Sequence, residues 1–141
     1  ISDENETYIT FQMTYKEAIN ALEIAHIRKK ECPVVWNEKI GYWKLLKDMS
    51  QQQQCKEFVS KKIDALIQYD KENESDLIET LEALVNHLGA RNTTATSLYL
   101  HRNTLMYRIK KIENLTGYDL SDPESILELS LALRLNKFMN H

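Results

Sequence analysis

Scarcity of glycine and proline is the feature that most restricts the folds open to this chain. The 141 residues contain three glycines and two prolines, whereas average usage of about 7% Gly and 5% Pro would give roughly seventeen of the two together. β-Sandwiches and barrels need many turns rich in these residues and are therefore disfavoured. The glycines, Gly41, Gly89 and Gly117, also lie too far apart for a GxGxxG or GxxxxGK[ST] phosphate-binding loop. The sequence predicts an all-α protein.

The remaining composition indicates a soluble chain with enough apolar material for a core. Hydrophobic residues make up 43% and charged residues 28%. No run of about 18 apolar residues and no amino-terminal signal segment is present, so we expect neither a membrane span nor export. Cys32 and Cys55 are isolated, whereas a secreted disulfide scaffold of this size usually carries four or more cysteines. We therefore expect a cytoplasmic protein, and its first residue, isoleucine, suggests a piece of a longer chain.

Charge is distributed unevenly along the sequence. The formal net charge is −3, but residues 90–117 carry +4 and the rest of the chain carries −7. The basic residues of this segment are Arg91, Arg102, Arg108, Lys110 and Lys111, against Glu113 alone. Because the local field matters more for nucleic-acid binding than the total charge, this segment keeps DNA binding open.

The amino-terminal third gives weak signals of structure. Residues 9–13 alternate apolar and polar side chains, which indicates a short strand segment, either frayed or the last strand of a missing domain. Thr14 and Glu17 form a capping box for a helix that should end near Lys30. A short helix should then follow Gly41.

A run of glutamines at 51–54 is the predicted internal boundary. Residues 1–50 would be the end of a preceding domain, and residues 51–141 a helical domain of their own. The helical patterns of the second part are Cys55–Tyr69, Ser75 or Asp76 to Leu88, Asn92 or Thr93 to Tyr99, Arg102 or Asn103 to Thr116, and the segment after Asp122 and Pro123.

Three details of these helices can be predicted from the residues. The charged stretch DKENESD should form a loop after the first helix, and Gly89 should be the C′ residue of the second. The final helix is apolar over much of its circumference, so it must be buried on several sides. It is therefore either the central core helix or part of a dimer interface.

Two short helices separated by a turn of about three residues form a helix-turn-helix candidate. Ala95 on the first helix allows a close crossing, and Leu105 on the second anchors that helix to the core. The glycine usual in the turn is absent, so Tyr99 or Leu100 would bear strain if either adopts a positive φ.

A helical wheel separates the two sides of the second helix. Its inward residues are Leu105, Ile109, Ile112 and Leu115. Its outward residues are Asn103, Thr104, Tyr107, Lys110, Lys111 and Asn114, flanked by Arg102 and Arg108. Amide, hydroxyl, phenol and cationic groups are those that bind base edges and phosphates, although a merely solvated basic face remains an alternative.

For some other residues the sequence allows two interpretations, and for others it indicates no chemical function. His101 either contacts DNA or caps the turn, and Asn103 either contacts bases or is the N-cap of the second helix. No CxxC, HxxxH or HExxH spacing indicates a metal site, and no GxSxG indicates a nucleophile. We predict no metal, no cofactor and no enzymatic activity.

The string HRNTLMYRIKKIENLTGYDLSDPES resembles the C-terminal helix-turn-helix of PucR/CdaR-type bacterial transcription regulators, which govern purine catabolism and sugar-diacid use. Its H-x-x-T-L-x-Y-R pattern and the following Leu-Thr-Gly step carry the resemblance, together with LIQYD, DLIETLEALV and the closing leucine-rich helix. The resemblance covers residues 58–139. Residues 14–50 are similar to the end of the degenerate GGDEF-like domain that often precedes this module.

Residues and resemblance together predict an all-α helical bundle that binds double-stranded DNA as the C-terminal domain of a transcription regulator. We also predict a homodimer, which would place the second helices of the two copies about 34 Å apart, one turn of DNA. Any small-molecule effector would bind a domain outside this chain. The predicted DNA-binding residues are Thr93, Thr94, His101, Arg102, Asn103, Thr104, Tyr107, Arg108, Lys110 and Lys111. The alternative is a helical protein-protein interaction module whose basic face binds an acidic partner.

Overall fold

The computed structural model describes residue 19 and residues 42–139, and this part of the chain is helical, without a strand. Its helices are α1 (Tyr42–Ser50), α2 (Gln53–Asn73), α3 (Leu77–Asn86), α4 (Arg91–Ser97), α5 (Arg102–Thr116) and α6 (Pro123–Met139). The prediction of an all-α fold is confirmed. The predicted strand at 9–13 and the bounds of the helix from Thr14 to Lys30 fall outside the described residues.

The chain divides into two compact units, residues 1–49 and residues 50–141. The second unit is a bundle in which α2 and α3 pack against both α5 and α6, and α4 packs against α3 and α5. Its largest fully buried side chains are Ile63, Leu66, Thr80, Leu81, Leu84, Leu105, Ile109, Ile112, Leu120, Leu129 and Leu135. Apolar burial on this scale is the main stabilising contribution to a domain of this size.

Helix α6 is buried along most of its length. From Ser125 to Met139, Leu127 is the only exposed residue, and α6 packs against α2 and α3. Burial against α2 and α3 within the domain therefore accounts for its apolar circumference, except at Leu127. The apolar character of α6 does not itself require a dimer.

Two predictions about the α2–α3 connection need correction. The stretch DKENESD is not all loop, because α2 continues through Asn73 and ends at Glu74, whose φ is +48°. Asp76 is the N-cap residue of α3, as predicted, but its side chain makes no capping bond. The carboxylate of Asp70 accepts the backbone N–H groups of Leu77 and Ile78 instead, each at 2.9 Å. A side chain of the preceding helix thus satisfies two of the free amides at the start of α3.

The predicted role of Gly89 as C′ residue also needs correction. Leu88 is the first left-handed residue after α3, with φ +52°, and Gly89 follows with φ +83°. The Leu88 amide donates to the Val85 carbonyl at 3.1 Å, and the Gly89 amide donates to the Leu84 carbonyl at 2.9 Å. This is a Schellman ending with Leu88 at C′ and glycine at C″.

A largely buried lysine holds the segment after α5 in place. Lys62 of α2 donates a hydrogen bond to the Tyr118 hydroxyl and pairs with Glu128 of α6 at 2.5 Å. Burial by itself lowers the pKa of Lys62, but hydrogen bonds to Glu128 and Tyr118 outweigh it and raise that pKa above its ordinary value. The same contact with Lys62 lowers the pKa of the Glu128 carboxyl. The cluster joins α2 and α6 to the end of α5.

Candidate nucleic-acid interface

Helices α4 and α5 form the predicted helix-turn-helix. They pack against each other, and residues 98–101 connect them. Ala95 and Leu105 are both buried, as predicted for a close crossing and an anchor to the core. Helix α5 therefore has a fixed inner face, which determines the residues it presents outward.

Helix α4 ends in a turn in which Tyr99 has a left-handed backbone conformation. Its φ is +54°, so Tyr99 is the residue that replaces the usual glycine. The Tyr99 amide donates to the Thr96 carbonyl at 3.2 Å and the Leu100 amide to the Ala95 carbonyl at 2.9 Å. This repeats the Schellman geometry found after α3. The tyrosine ring is 97% exposed, so no burial of the ring offsets the backbone strain.

Replacing Tyr99 with glycine is expected to stabilise the domain by about 1 kcal/mol, because glycine adopts the left-handed region without the steric penalty of a Cβ atom. Urea denaturation followed by circular dichroism measures the change. Tyr107→Gly is the matched control, since Tyr107 lies within α5 and glycine there should destabilise by about 0.5 kcal/mol. A Tyr99→Gly variant that is no more stable than the wild type would contradict the strain argument.

His101 caps the start of α5. It occupies the N-cap position, and its Nδ1 accepts the backbone N–H of Asn103 at 3.2 Å. The capping interpretation of His101 is confirmed, and the interpretation of Asn103 as N-cap is wrong. Asn103 is in the first turn of the helix, and its backbone amide is already bonded to His101. Its side chain therefore does not cap the helix.

The outer face of α5 carries a polar stripe. Asn103, Tyr107, Lys110 and Asn114 are all exposed and recur at intervals of three or four residues. Thr104 and Arg102 are exposed on either side of it. The buried residues of the helix, Leu105, Ile109 and Ile112, lie on the opposite side. This stripe, called here the outer stripe, presents amide and phenol groups together with one ammonium group.

Three of the residues predicted to bind DNA have contacts within the bundle. The Arg108 guanidinium donates to the Thr80 hydroxyl at 3.0 Å and lies 3.6 Å from the Asp76 carboxylate. The Lys111 ammonium lies 4.6 Å from the centroid of the Tyr69 ring. Thr94 is fully buried, and its hydroxyl donates to the Ala90 carbonyl. Thr93, its neighbour on α4, is exposed.

Sequence reasoning missed Arg91 as a site residue. It is the first residue of α4 and lines a groove of about 340 Å³ together with Met106, Tyr107 and Lys110 of α5. The only signal available in the sequence was its place in the basic segment. The predicted N-cap of α4, Asn92 or Thr93, is also wrong, because Ala90 holds that position without a side-chain cap.

Neither a metal site nor a membrane-spanning helix is found among the described residues. Among residues 42–139 and residue 19, no group of His, Cys, Asp and Glu side chains is arranged to hold a metal ion. No helix within that same part of the chain has the length and apolar character needed to cross a membrane.

Comparison with known families agrees with this geometry. The family described as the PucR C-terminal helix-turn-helix domain matches residues 77–135, which extend from the start of α3 into α6. The resemblance of the C-terminal part of the chain to the PucR-type helix-turn-helix is thereby confirmed, and α4 and α5 lie within the matched residues.

Curated relatives extend the match over the whole chain. The chain is 30% identical over 138 residues to the proline-responsive transcriptional activator PutR of Bacillus subtilis, covering 97% of this chain and 34% of PutR. It is 29% identical over 140 residues to the purine catabolism regulatory protein of the same organism, covering 99% of this chain and 26% of that protein. The carbohydrate diacid regulator of Escherichia coli is 39% identical over 66 residues, covering 47% of this chain and 17% of that regulator.

The chain thus spans about a third or less of the length of these relatives. PutR is a transcriptional activator by name, and the other two are named as regulators. No solved structure matches the chain.

Proposed function

We propose that residues 51–141 bind double-stranded DNA through α5 and serve as the C-terminal DNA-binding domain of a transcription regulator. The outer stripe of α5 is the observation that carries this proposal. It lies opposite the buried anchor residues, in a domain that matches the PucR helix-turn-helix family. A helix presented in this way enters the major groove, where its first residues contact base edges.

The proposed interface is drawn from the predicted residues by their exposure. It consists of Thr93, His101, Arg102, Asn103, Thr104, Tyr107 and Lys110. Asn103 and Thr104, in the first turn of α5, would be nearest the bases, and Arg102 and Lys110 would neutralise phosphates. We assign Arg108 and Thr94 to the support of the helix pair, because both are engaged with the bundle. Lys111 would contribute only its charge.

The wider role follows by analogy with the regulators that the chain resembles. Their names refer to proline, purine catabolism and carbohydrate diacids, so we infer a cytoplasmic regulator of nutrient use that is not an enzyme. Any effector would bind a domain outside this chain. We also propose residues 1–50 as the end of a preceding regulatory domain of the GGDEF-like type.

We further propose that the domain acts as a homodimer, as expected for a helix-turn-helix that reads two half-sites. Leu88 and Leu127, which are 87% and 63% exposed, border a cavity of about 350 Å³ that Pro123 and Ile126 also line. A second copy that covers these two leucines would remove an exposed apolar patch from water.

A salt titration of DNA binding tests the proposed function. Lys110→Ala should weaken binding to all duplexes about equally and lower the slope of log affinity against log salt by roughly 0.9, the value for one lost phosphate contact. Lys61→Ala, which removes the same charge from an exposed position on α2, is the matched control. The slope should stay at the wild-type value in that control.

The alternative function gives a different result in the same assay. A module that binds an acidic protein would not select sequences from a random duplex pool, nor would its affinity for selected and random duplexes differ. Wild-type protein that shows no sequence selection would contradict the proposal of a specific DNA-binding domain.

A further inference from the structure

Thr80 of α3 is a polar residue that the domain buries completely. Its hydroxyl donates a hydrogen bond to the Asp76 carbonyl at 2.7 Å, one turn earlier on the same helix. That bond uses the only proton of the hydroxyl, so its oxygen can still accept a second bond. The Arg108 guanidinium of α5 donates this second bond at 3.0 Å. The buried hydroxyl therefore links α3 directly to the helix that carries the outer stripe.

The Asp76 carboxylate supports the same link from the start of α3. An aspartate at the N-cap position ordinarily accepts a backbone amide of its own helix, but Asp70 of α2 accepts two of those amides instead. The Asp76 carboxylate lies 3.6 Å from the Arg108 guanidinium. Because its side chain is 59% exposed, water screens most of this attraction. The hydrogen bond to Thr80 is therefore the stronger of the two contacts that Arg108 makes with α3.

The hydrogen bond from Arg108 restricts a motion that apolar packing tolerates. Leu105 and Ile109 hold the inner face of α5 against the bundle, but apolar contact is non-directional and permits a small rotation of the helix about its axis. A hydrogen bond from a charged donor has a preferred distance and angle. Arg108 lies about one turn after Asn103 and Thr104, so a rotation of α5 at Arg108 also turns these two side chains.

We infer that Thr80 is a positioning residue for DNA reading, which acts through Arg108 and does not touch the duplex. The inference rests on the proposed function, since it concerns the direction in which α5 presents its first turn to the bases. A binding site must hold its contacting groups to within about 0.5 Å and 10–20°, and the bond between Thr80 and Arg108 supplies such a constraint. Sequence specificity then depends on a buried hydroxyl of α3, a helix outside the helix-turn-helix pair.

The test compares Thr80→Val with Thr80→Ser. Valine has nearly the shape of threonine but cannot accept a bond from Arg108, whereas serine keeps the hydroxyl. Thr80→Val should lower affinity for a selected DNA site about tenfold, within the range for one good base contact, and leave affinity for random duplex nearly unchanged. Thr80→Ser should keep the wild-type ratio of the two affinities. A Thr80→Val variant with the wild-type ratio, or a Thr80→Ser variant as poor as Thr80→Val, would overturn the inference.

Val59→Ala controls for a loss of stability alone. Val59 is buried on α2, so this variant loses apolar contacts and should melt at a lower temperature, but it loses no hydrogen bond. All variants are compared well below their melting temperatures, where the folded state dominates. Val59→Ala should keep the wild-type ratio of specific to non-specific affinity. If it lowers that ratio as much as Thr80→Val does, the effect is one of general stability and the inference is wrong.

Arg108→Met gives a second measurement from the other side of the bond. Methionine donates no hydrogen bond, so Arg108→Met should lower the ratio as Thr80→Val does. The double variant should be no worse than either single variant, because both substitutions break the same bond. The slope of log affinity against log salt should stay at the wild-type value, since no phosphate contact is lost. A slope lowered by roughly 0.9, or losses that add in the double variant, would show that Arg108 acts on the duplex itself and would contradict the inference.

Failure of the positioning role and failure of the proposed function give different results. If wild-type protein selects sequences from a random duplex pool and Thr80→Val selects them equally well, the positioning role is wrong and the proposed function stands. If wild-type protein selects no sequence, the proposed function fails first and the positioning role fails with it.

Discussion

Leu133→Asp is expected to abolish the folded state of residues 50–141. Leu133 of α6 is only 3% exposed. Loss of its buried contacts alone costs about 2–5 kcal/mol, and an unpaired carboxylate in the core adds the cost of neutralising or hydrating it. Because a domain is stable by only about 5–15 kcal/mol in total, we expect no cooperative thermal transition. Circular dichroism during heating measures the outcome.

Leu127→Asp is the matched control, since it makes the same chemical change six residues earlier on the same helix. Leu127 is 63% exposed, so the variant should keep a cooperative thermal transition, with a melting temperature lowered only by the loss of the dimer contact. It also tests the proposed homodimer, because sedimentation of Leu127→Asp should give a monomer where the wild type gives a dimer. A folded Leu133→Asp variant would contradict the burial of this face of α6, and a monomeric wild type would contradict the dimer.

The helices most accurately predicted from the sequence are those whose ends have local signals. Helix α5 begins at Arg102 and ends before Gly117, whose φ of +77° is the left-handed C-cap that glycine favours. Pro123 begins α6 at the position predicted for a first-turn proline. In both cases the residue that sets the boundary lies at the boundary, so a single sequence suffices to find it.

Boundaries set by distant residues could not be predicted in this way. The N-terminal amides of α3 are capped by Asp70, which belongs to the preceding helix and comes close only because α2 extends to Asn73. Leu88 and Tyr99 take positive φ values although both carry a Cβ atom. The hydrogen bonds of the two Schellman endings, together with the packing of the helices on either side, hold these residues where propensity alone would place glycine.

At the interface, too, features set by sequence position could be predicted, and features set by contacts between helices could not. A helical wheel correctly separates Asn103, Tyr107 and Lys110 from the buried side of α5, because angle around the axis depends on sequence position alone. It cannot give the direction of a long side chain at the edge of the face. The guanidinium of Arg108 reaches back to Thr80 on α3, and this contact exists only once α3 and α5 are packed together. Arg91 was missed for a related reason, since it enters the groove from another helix.

Asn103→Ala is expected to lower affinity for a selected DNA site by about 1–3 kcal/mol, or roughly 5- to 150-fold, while affinity for random duplex stays nearly unchanged. The side chain is exposed in the first turn of α5, the part of a reading helix that reaches base edges. It is uncharged, so its loss should change neither long-range attraction nor the salt slope. Competition between selected and random duplexes measures the ratio of the two affinities.

The structure argues against a loss of stability as the cause of a lower affinity in Asn103→Ala. His101 holds the N-cap position of α5, and the group it bonds in Asn103 is the backbone N–H, which alanine retains. The melting temperature of Asn103→Ala should therefore stay close to that of the wild type. A large drop would show that the side chain supports the fold and would contradict its assignment as a reading residue.

Asn114→Ala tests whether any exposed amide on the outer stripe affects specificity, or only one in the first turn of α5. Asn114 is exposed on the same face, eleven residues further along α5, which places it about 16 Å from Asn103 along the helix axis. A reading helix that contacts bases through its first turn leaves a side chain at that distance without a base partner. Asn114→Ala should therefore keep the wild-type ratio of specific to non-specific affinity. If both variants lower the ratio equally, α5 lies along the groove over its whole length, and the assignment of the first turn to base contact is wrong.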